Sequence, residues 1–356
     1  LKKLAVIILL LLNLIIIAAL CMAYLAVYIS PARNWIFPFF GLAFPYLVIL
    51  NLAFLIIWLV FKPKLALLPL AFFLSGYFQL ANYIRVSGKS NPEKGIRIVS
   101  YNVKYFMGNG NVPDKAAAEQ ILNYLKQSKA DIICLQEVQL NKRQIFDILN
   151  AKDQLPQIEH LQLAHASHAG GSVTLTTYPI INMNELRFEN TGNLVIYTDI
   201  LINSDTVRVY NCHLESYRLK PSEINSIDSI TYDNQSKKIQ KIKSLKNRLY
   251  PSLVKRADQA EKLQLAIAES PYPVIVCGDF NDTPVSYVYH TVRGKLLDAF
   301  VQSGKGTGNT YNGKLPSFRI DYILHSPIFS AANFKTGHYN YSDHFPVSCD
   351  LYRNPR

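Results

Sequence analysis

No aspartate or glutamate occurs among the first 87 residues, and the only strong cations there are Lys2, Lys3, Arg33, Lys62, Lys64 and Arg85. A water-soluble domain normally carries surface charges of both signs, so this stretch is not one, and its apolar richness excludes disorder. Three long apolar runs fill it, at residues 4–29, 36–61 and 65–84. Each is near or above the roughly 20 residues a helix needs to cross a ~30 Å hydrocarbon core. Pro38, Pro45 and Pro69 fall within the runs and are tolerated in membrane helices, where neighbouring groups satisfy the freed carbonyls. A cleaved signal peptide is excluded for the first run, which exceeds the usual apolar region of roughly 7–15 residues. Leu20 before Cys21 is not the small residue expected at a lipoprotein cleavage site. Residues 1–86 are therefore expected to form a bundle of three transmembrane helices in an inner or plasma membrane. Lys2, Lys3, Lys62 and Lys64 outnumber Arg33 in the short flanks. The positive-inside bias then puts residues 88–356 on the periplasmic or extracellular side, against the pull of Arg85, Lys89, Lys94 and Arg97.

Other absences narrow the chemistry. There is no CxxC pair, no HExxH, no phosphate-binding GxxxxGK[ST] loop and no GxSxG, which argues against zinc proteases, nucleotide-driven motors and serine hydrolases. Of the five cysteines, Cys21 lies in the first run and Cys134, Cys212, Cys277 and Cys349 lie inside apolar strand-like runs. They read as buried small hydrophobes rather than disulfides or zinc ligands. No internal repeat occurs.

What remains after residue 87 is a different kind of chain. It holds 31 Lys and Arg against 25 Asp and Glu, a net charge of +6, and is long enough for one large core. Residues 87–95, Ser-Gly-Lys-Ser-Asn-Pro-Glu-Lys-Gly, read as a linker, leaving 96–356 as the globular domain. Short β-type runs recur at 96–103, 131–138, 173–177, 194–202, 207–214, 274–280, 320–325 and 347–351, with helical patterns at 113–127 and about 249–268. This pattern predicts an α/β domain whose sheets pack face to face with helices outside. Residues 236–256 contain Lys237, Lys238, Lys241, Lys243, Lys246, Arg248, Lys255 and Arg256 and no acid. This is either a solvated helix face or a patch for polyanions or anionic headgroups.

Polar residues cluster where apolar runs end, the places from which loops present side chains to a ligand. The segments are Ser100-Tyr101-Asn102-Val103, Leu135-Gln136-Glu137-Val138, Asn211-Cys212-His213-Leu214, Gly278-Asp279-Phe280-Asn281-Asp282, Arg319-Ile320-Asp321-Tyr322 and Tyr341-Ser342-Asp343-His344-Phe345-Pro346. Singly, each is an ordinary turn former or rim charge. Together they supply oxygen ligands for a hard cation, two histidines and acids to orient them, an inventory that suits phosphate-ester hydrolysis.

In this order the six segments resemble the endonuclease/exonuclease/phosphatase superfamily, from about Ile96 to Leu351. The resemblance implies a four-layer sandwich of two mixed β-sheets flanked by helices, the deoxyribonuclease I-like fold. It implies Asn102 and Glu137 as the metal site, with Glu137 the principal ligand of Mg²⁺ and Mn²⁺ as the alternative ion. It implies His213 as a phosphate or leaving-group partner, and Asp279 with Asn281 as the pair that positions the attacking water. Asp343 and His344 correspond to the terminal pair, and Asp321 to the acid that orients the last histidine. Either Asp279 or His344 takes the water's proton. Two positions depart from relatives: Lys104 stands where some nucleases carry a further acid, and Thr177 where a cation often precedes Tyr-Pro. The expected activity is a membrane-anchored, Mg²⁺-dependent phosphodiesterase. Nucleic acid is its first substrate class and phospholipid headgroups the second. A non-catalytic, membrane-tethered binding module is the rival of another class. The lipid bilayer is the expected contact of residues 1–86, and no protein partner is expected.

Overall fold

The computed structural model describes residues 2–108, 110, 112, 114–139, 154–166, 170–217, 235–313 and 317–355. The apolar N-terminal stretch folds as two long helices, α1 (Lys2–Ala26) and α2 (Phe37–Phe61), followed by a 3₁₀ turn at Pro63–Ala66 and two short helices, α3 (Leu67–Ser75) and α4 (Tyr77–Tyr83). Among the described residues, only α1 and α2 are long and apolar enough by themselves to cross a membrane. Their outer faces expose Ile7, Leu11, Ile15, Ile49, Ile56 and Val60, the inverse of a water-soluble bundle. The third expected span is broken: Pro63–Ser75 and Tyr77–Tyr83 meet at a 60° bend, and count as a third span only when taken as one. The break falls at Gly76, which lies so close to Tyr24 that a Cβ there would sit 2.2 Å from the phenol oxygen. The chain is turned by that ring where hydropathy alone reads a straight helix.

Three polar contacts fix the bundle, one of them Tyr24 Oη donating to the Phe72 carbonyl at 2.7 Å. Trp58 Nε1 donates to Asn13 Oδ1 at 2.9 Å, and Asn51 Nδ2 to the Pro69 carbonyl at 2.9 Å. Asn13 pairs with Trp58 and Tyr24 packs on Phe44, so α1 and α2 run antiparallel. Lys2 and Lys3 therefore share one end with Lys62 and Lys64, and the globular domain sits at the other.

Two six-stranded mixed sheets make that domain. The first has the order β11-β12-β1-β2-β4-β3 and the second β5-β6-β7-β8-β10-β9. The strands are β1 (Ile96–Asn102), β2 (Ile132–Gln139), β3 (His160–His165), β4 (Gly170–Thr176), β5 (Ile180–Arg187), β6 (Leu194–Ile202), β7 (Asp205–His213), β8 (Val274–Asp279), β9 (Leu297–Asp298), β10 (Asp321–His325), β11 (Phe329–Thr336) and β12 (Val347–Arg353). Between the sheets lies an apolar layer that includes Ile98, Cys134, Val209, Cys277, Ile323 and Cys349. Outside the first sheet, α5 (Lys115–Ser128) covers Val99, Tyr101 and Leu135. Outside the second, α6 (Gln235–Ala268) and α7 (Tyr287–Arg293) cover Cys212, Val276 and Tyr322. This is the expected four-layer sandwich. All five cysteines are free, and the four in strands are buried. A short helix, α8 (Ala299–Ser303), follows β9.

The eight expected strands form, with ends shifted by a few residues. Strands β3, β5, β9 and β11 are additional. Helix α6 begins at Gln235 and runs through Pro251, where the pattern places a start near residue 249. The segment expected as a linker is pinned to the domain. Arg85 pairs with Gly306 in a β-bridge, Lys89 N–H donates to Ser303 O at 3.2 Å, and Asn91 exchanges hydrogen bonds with the Asn333 side chain at 3.0 and 2.8 Å. Tyr352 Oη donates to Glu93 O at 2.8 Å.

Candidate active site

Strand alternation aims the inward-facing residue at the rim end of four strands at one point between the two sheets, the last residue of β1, β7 and β8 and the first of β10. Along β1, Ile98 faces the inter-sheet layer while Val99 and Tyr101 face α5, so Asn102 faces inward. The same alternation on the opposing sheet turns His213, Asp279 and Asp321 inward, while Cys212 and Tyr322 pack outward. Register completes the row, with His213 beside Asp279 in the parallel β7/β8 pair and Asp321 opposite Asp279 in the antiparallel β8/β10 pair.

Glu137 reaches the same point by breaking the rule. Gln136 already faces inward, its Nε2 donating to Asn211 Oδ1 of the other sheet at 2.8 Å, so Glu137 should point toward α5. A bulge between Leu135 and Val138 against β4, with Glu137 at φ 52°, turns it inward instead. Lys104, Tyr105, Phe106 and Asn281 also have positive φ. Left-handed backbone in non-glycine residues thus occurs at two of the site's own positions, Glu137 and Asn281, as well as at turns elsewhere such as Lys129, Asn190 and Asn203. Gly278 is dictated by packing: at φ 134°, a Cβ there would lie 2.0 Å from the Cys212 carbonyl oxygen.

These side chains form one connected network. Asn102 Nδ2 donates to Glu137 Oε1 at 3.3 Å and to Asp279 Oδ2 at 3.1 Å. His213 Nε2 lies 3.2 Å from Glu137 Oε1. Asn281 donates twice to Asp279, from its backbone at 2.8 Å and its amide at 3.0 Å. His344 Nδ1 is 2.9 Å from Asp321 Oδ2, and its Nε2 is 3.7 Å from Asp279 Oδ2. Ser342 Oγ donates to Asn102 O at 2.8 Å and accepts from His344 N–H at 3.2 Å, joining the terminal segment to β1. Asp343 stands apart on the rim, 3.6 Å from Lys104 Nζ.

Electrostatics separate the acids. Burial alone would raise the Glu137 carboxyl, but the hydrogen bond to His213 and the nearby imidazoles hold it at about 2. Burial pushes Asp279 up to about 6, with His344 opposing the rise and Asp321 adding to it. Burial disfavours a charged imidazole at both histidines, yet Glu137 raises His213, and Asp321 and Asp279 carry His344 well above its ordinary value. At neutral pH the site therefore holds an ionised Glu137, an ionised Asp279 and a charged His344.

The residues fit a hard cation, with one difference from the expectation. Glu137 offers an ionised, part-exposed carboxylate. Asn102, expected as its companion ligand, presents Nδ2 to Glu137, while its Oδ1 accepts from Lys104 N–H at 3.0 Å. An amide oxygen reaches the cation only after the amide turns over, a swap of nearly isosteric groups. Asp279, Asp321 and His344 form a second buried group whose ligand atoms lie within 4.8 Å of one another.

One contributor escaped the sequence reading. Arg256 is fully buried, donates from Nη1 to the Asn281 carbonyl, and stacks 4.1 Å over the Tyr217 ring. It braces the backbone that carries Asn281. The signal was present: on α6, Leu253, Ala257, Ala260 and Leu263 recur on the buried face, and a charge at 256 falls within that stripe.

Residues 99–344 match the Endonuclease/Exonuclease/phosphatase family. The chain belongs to that family. Residues 6–83 match a second family, described only as a domain of unknown function. Solved structures share the fold at low identity. The endonuclease/exonuclease/phosphatase from Bacteroides vulgatus is 16% identical, over 74% of this chain and 100% of that one, with a TM-score of 0.54. TDP2 of D. rerio, humanized by 14 mutations, is 17% identical over 73% and 100%, with a TM-score of 0.52. The family protein from Beutenbergia cavernae is 17% identical over 74% and 72%, with a TM-score of 0.51. No curated protein matches the sequence. The family's phosphoesterase fold thus coincides with the rim on which the six segments converge.

Proposed function

We propose that the chain is a membrane-anchored, Mg²⁺-dependent phosphodiesterase. One observation carries this reading: a charged His344 held 2.9 Å from Asp321 faces Asp279, across from an ionised Glu137 bonded to Asn102. Such a site can bind an anionic ester, stabilise added negative charge and accept a proton. Glu137 and Asn102 would hold the cation, which would supply Lewis acidity at the phosphate. Asn281 fixes the Asp279 carboxylate, and that carboxylate accepts the proton of the attacking water. His213 and the charged His344 donate to phosphate oxygens, and Asp321 fixes the imidazole of His344. Asp343, at the rim with Lys104, tunes access rather than chemistry.

Nucleic acid is the substrate class supported by the +6 charge of residues 88–356. The headgroup of a membrane amphiphile is supported instead by tethering beside a bilayer, which raises local substrate concentration. Three members of the basic stretch already have partners within the protein, Arg256 as above, Lys255 Nζ on Asn190 O at 2.8 Å and Lys246 over the Trp35 ring at 4.8 Å, while Lys243 is exposed. Full-length protein in detergent, incubated with DNA, RNA, sphingomyelin and phosphoinositides with and without Mg²⁺, separates the two. Metal-dependent cleavage of one class is expected, and hydrolysis of none of these or of a generic diester would refute the reading.

The shared end of Lys2, Lys3, Lys62 and Lys64, opposite the domain, supports an outward-facing enzyme. Its nucleic-acid role would then be scavenging or defence rather than repair. Protease added to intact spheroplasts is expected to cut the domain. Protection until lysis would place it in the cytoplasm.

A further inference from the structure

The loop that leaves the catalytic strand β8 does not end in solvent. Six residues after Asp279, Val285 is fully buried in the core of the helical bundle, among Leu20, Ala23, Phe44 and Tyr83. Gly41 of α2 makes room for it, since a Cβ there would lie 2.2 Å from the Val285 carbonyl oxygen. A second link enters from the other catalytic strand. Arg319, two residues before Asp321 and fully buried, donates from Nη2 to the Asn82 carbonyl of α4 at 2.7 Å and from Nη1 to Asp298 Oδ2 at 2.8 Å. Arg293 Nη1 adds a bond to Asn82 Oδ1 at 3.1 Å. Tyr322 Oη ties the two loops together, bonding to the carbonyls of Asp282 at 2.8 Å and Arg319 at 2.9 Å.

The bundle therefore grips both segments that carry the buried acids of the site, one through Val285 and one through Arg319. We infer that Gly41 and Asn82 of the bundle, acting through Val285 and Arg319, are positioning residues for Asp279 and Asp321. The membrane segment is in this respect a working part of the catalytic centre as well as an anchor. The inference rests on the phosphodiesterase reading for its kinetic consequence, while its structural consequence stands without that reading. A wedge at Gly41, or a truncation at Val285, shifts the 279–285 loop and with it Asn281 and Asp279. Neither residue touches substrate, so substrate binding is spared while the reacting groups lose alignment.

The test uses full-length protein in detergent micelles, with bis(p-nitrophenyl) phosphate and Mg²⁺. Gly41→Ala inserts the wedge, Val285→Ala removes the anchor without adding bulk, and Leu59→Phe on the outer face of the bundle is the control. Gly41→Ala and Val285→Ala are expected to lower kcat by about ten- to a hundred-fold with KM within about twofold of wild type, the mark of lost alignment. Leu59→Phe should match wild type. Backbone hydrogen exchange in peptides covering 279–285 and 319–322 should quicken in both test variants and not in the control. Wild-type turnover and unchanged exchange in folded Gly41→Ala and Val285→Ala would overturn the inference. Should wild-type protein hydrolyse no phosphodiester, the functional reading fails by itself. The exchange data then decide the inference alone, quickened exchange supporting it and unchanged exchange overturning it.

Discussion

The bundle and the sheet rim both bury polar side chains, and they do so differently. In the bundle, Asn13 and Asn51 are neutral amides with one partner each, Trp58 and the Pro69 carbonyl. They fix helix register, as single polar contacts do between membrane helices. At the rim, three carboxylates and two imidazoles crowd together, Asp279 is driven up toward neutrality, and Glu137 and Asn281 adopt left-handed backbone. A buried amide with one partner stabilises a packing. A buried cluster of several titratable groups on strained backbone costs stability, and function is the reason such clusters persist.

The comparison breaks first at His344. His344→Ala is expected to lose at least ~10² in kcat while its thermal midpoint stays near wild type, and Glu137→Gln to lose both turnover and Mg²⁺ affinity. Wild-type rates in either variant would make the rim as inert as the bundle. Next comes pH. Asp279 must be ionised to accept a proton, so kcat/KM should rise as pH climbs through about 6. It should fall again only when His344, raised well above 6.5, loses its proton on the alkaline side. A profile flat from pH 5 to pH 9 would contradict the assignment. Asn13→Ala probes the other region. It should cost about 0.6–2 kcal/mol in denaturation within micelles and leave turnover unchanged. The smallest effect is a null one. Burial pushes the Cys212 and Cys349 thiols up, and a hydrogen bond with Cys134 together with burial does so for Cys277, so a thiol reagent should leave them unmodified in folded protein. Rapid labelling would show that the layer beneath the rim is loose.

The site was legible in sequence because it is built at strand ends: apolar runs that close in Asn102, His213 and Asp279, reach Glu137 near their end, or open at Asp321 announce both the strands and their functional tips. What hydropathy could not carry was tertiary. β3 and β5 are edge strands, and His160–His165 and Ile180–Arg187 mix polar and apolar residues on both faces, so neither period stands out. The bulge at Glu137 leaves no mark on composition. The bend at Gly76 depends on the Tyr24 ring, 52 positions earlier. Val285 reads as a loop valine until its cavity, supplied by another region of the chain, is in place.

The pinned segment between Arg85 and Gly95 has a dynamic consequence. A slack cord would let the catalytic head swing through a hemisphere and search by its own diffusion. Here the bridge to Gly306 and the bonds to Ser303, Asn333 and Tyr352 remove that freedom. Head and bundle are held against each other, so in a membrane-anchored enzyme the mouth of the site would keep a constant height and tilt above the lipid. Encounter with substrate would then be governed by lateral travel in the bilayer or by delivery from the aqueous phase. Splicing extra residues into residues 87–95 would displace Lys89, Asn91 and Glu93 from these bonds and loosen the grip.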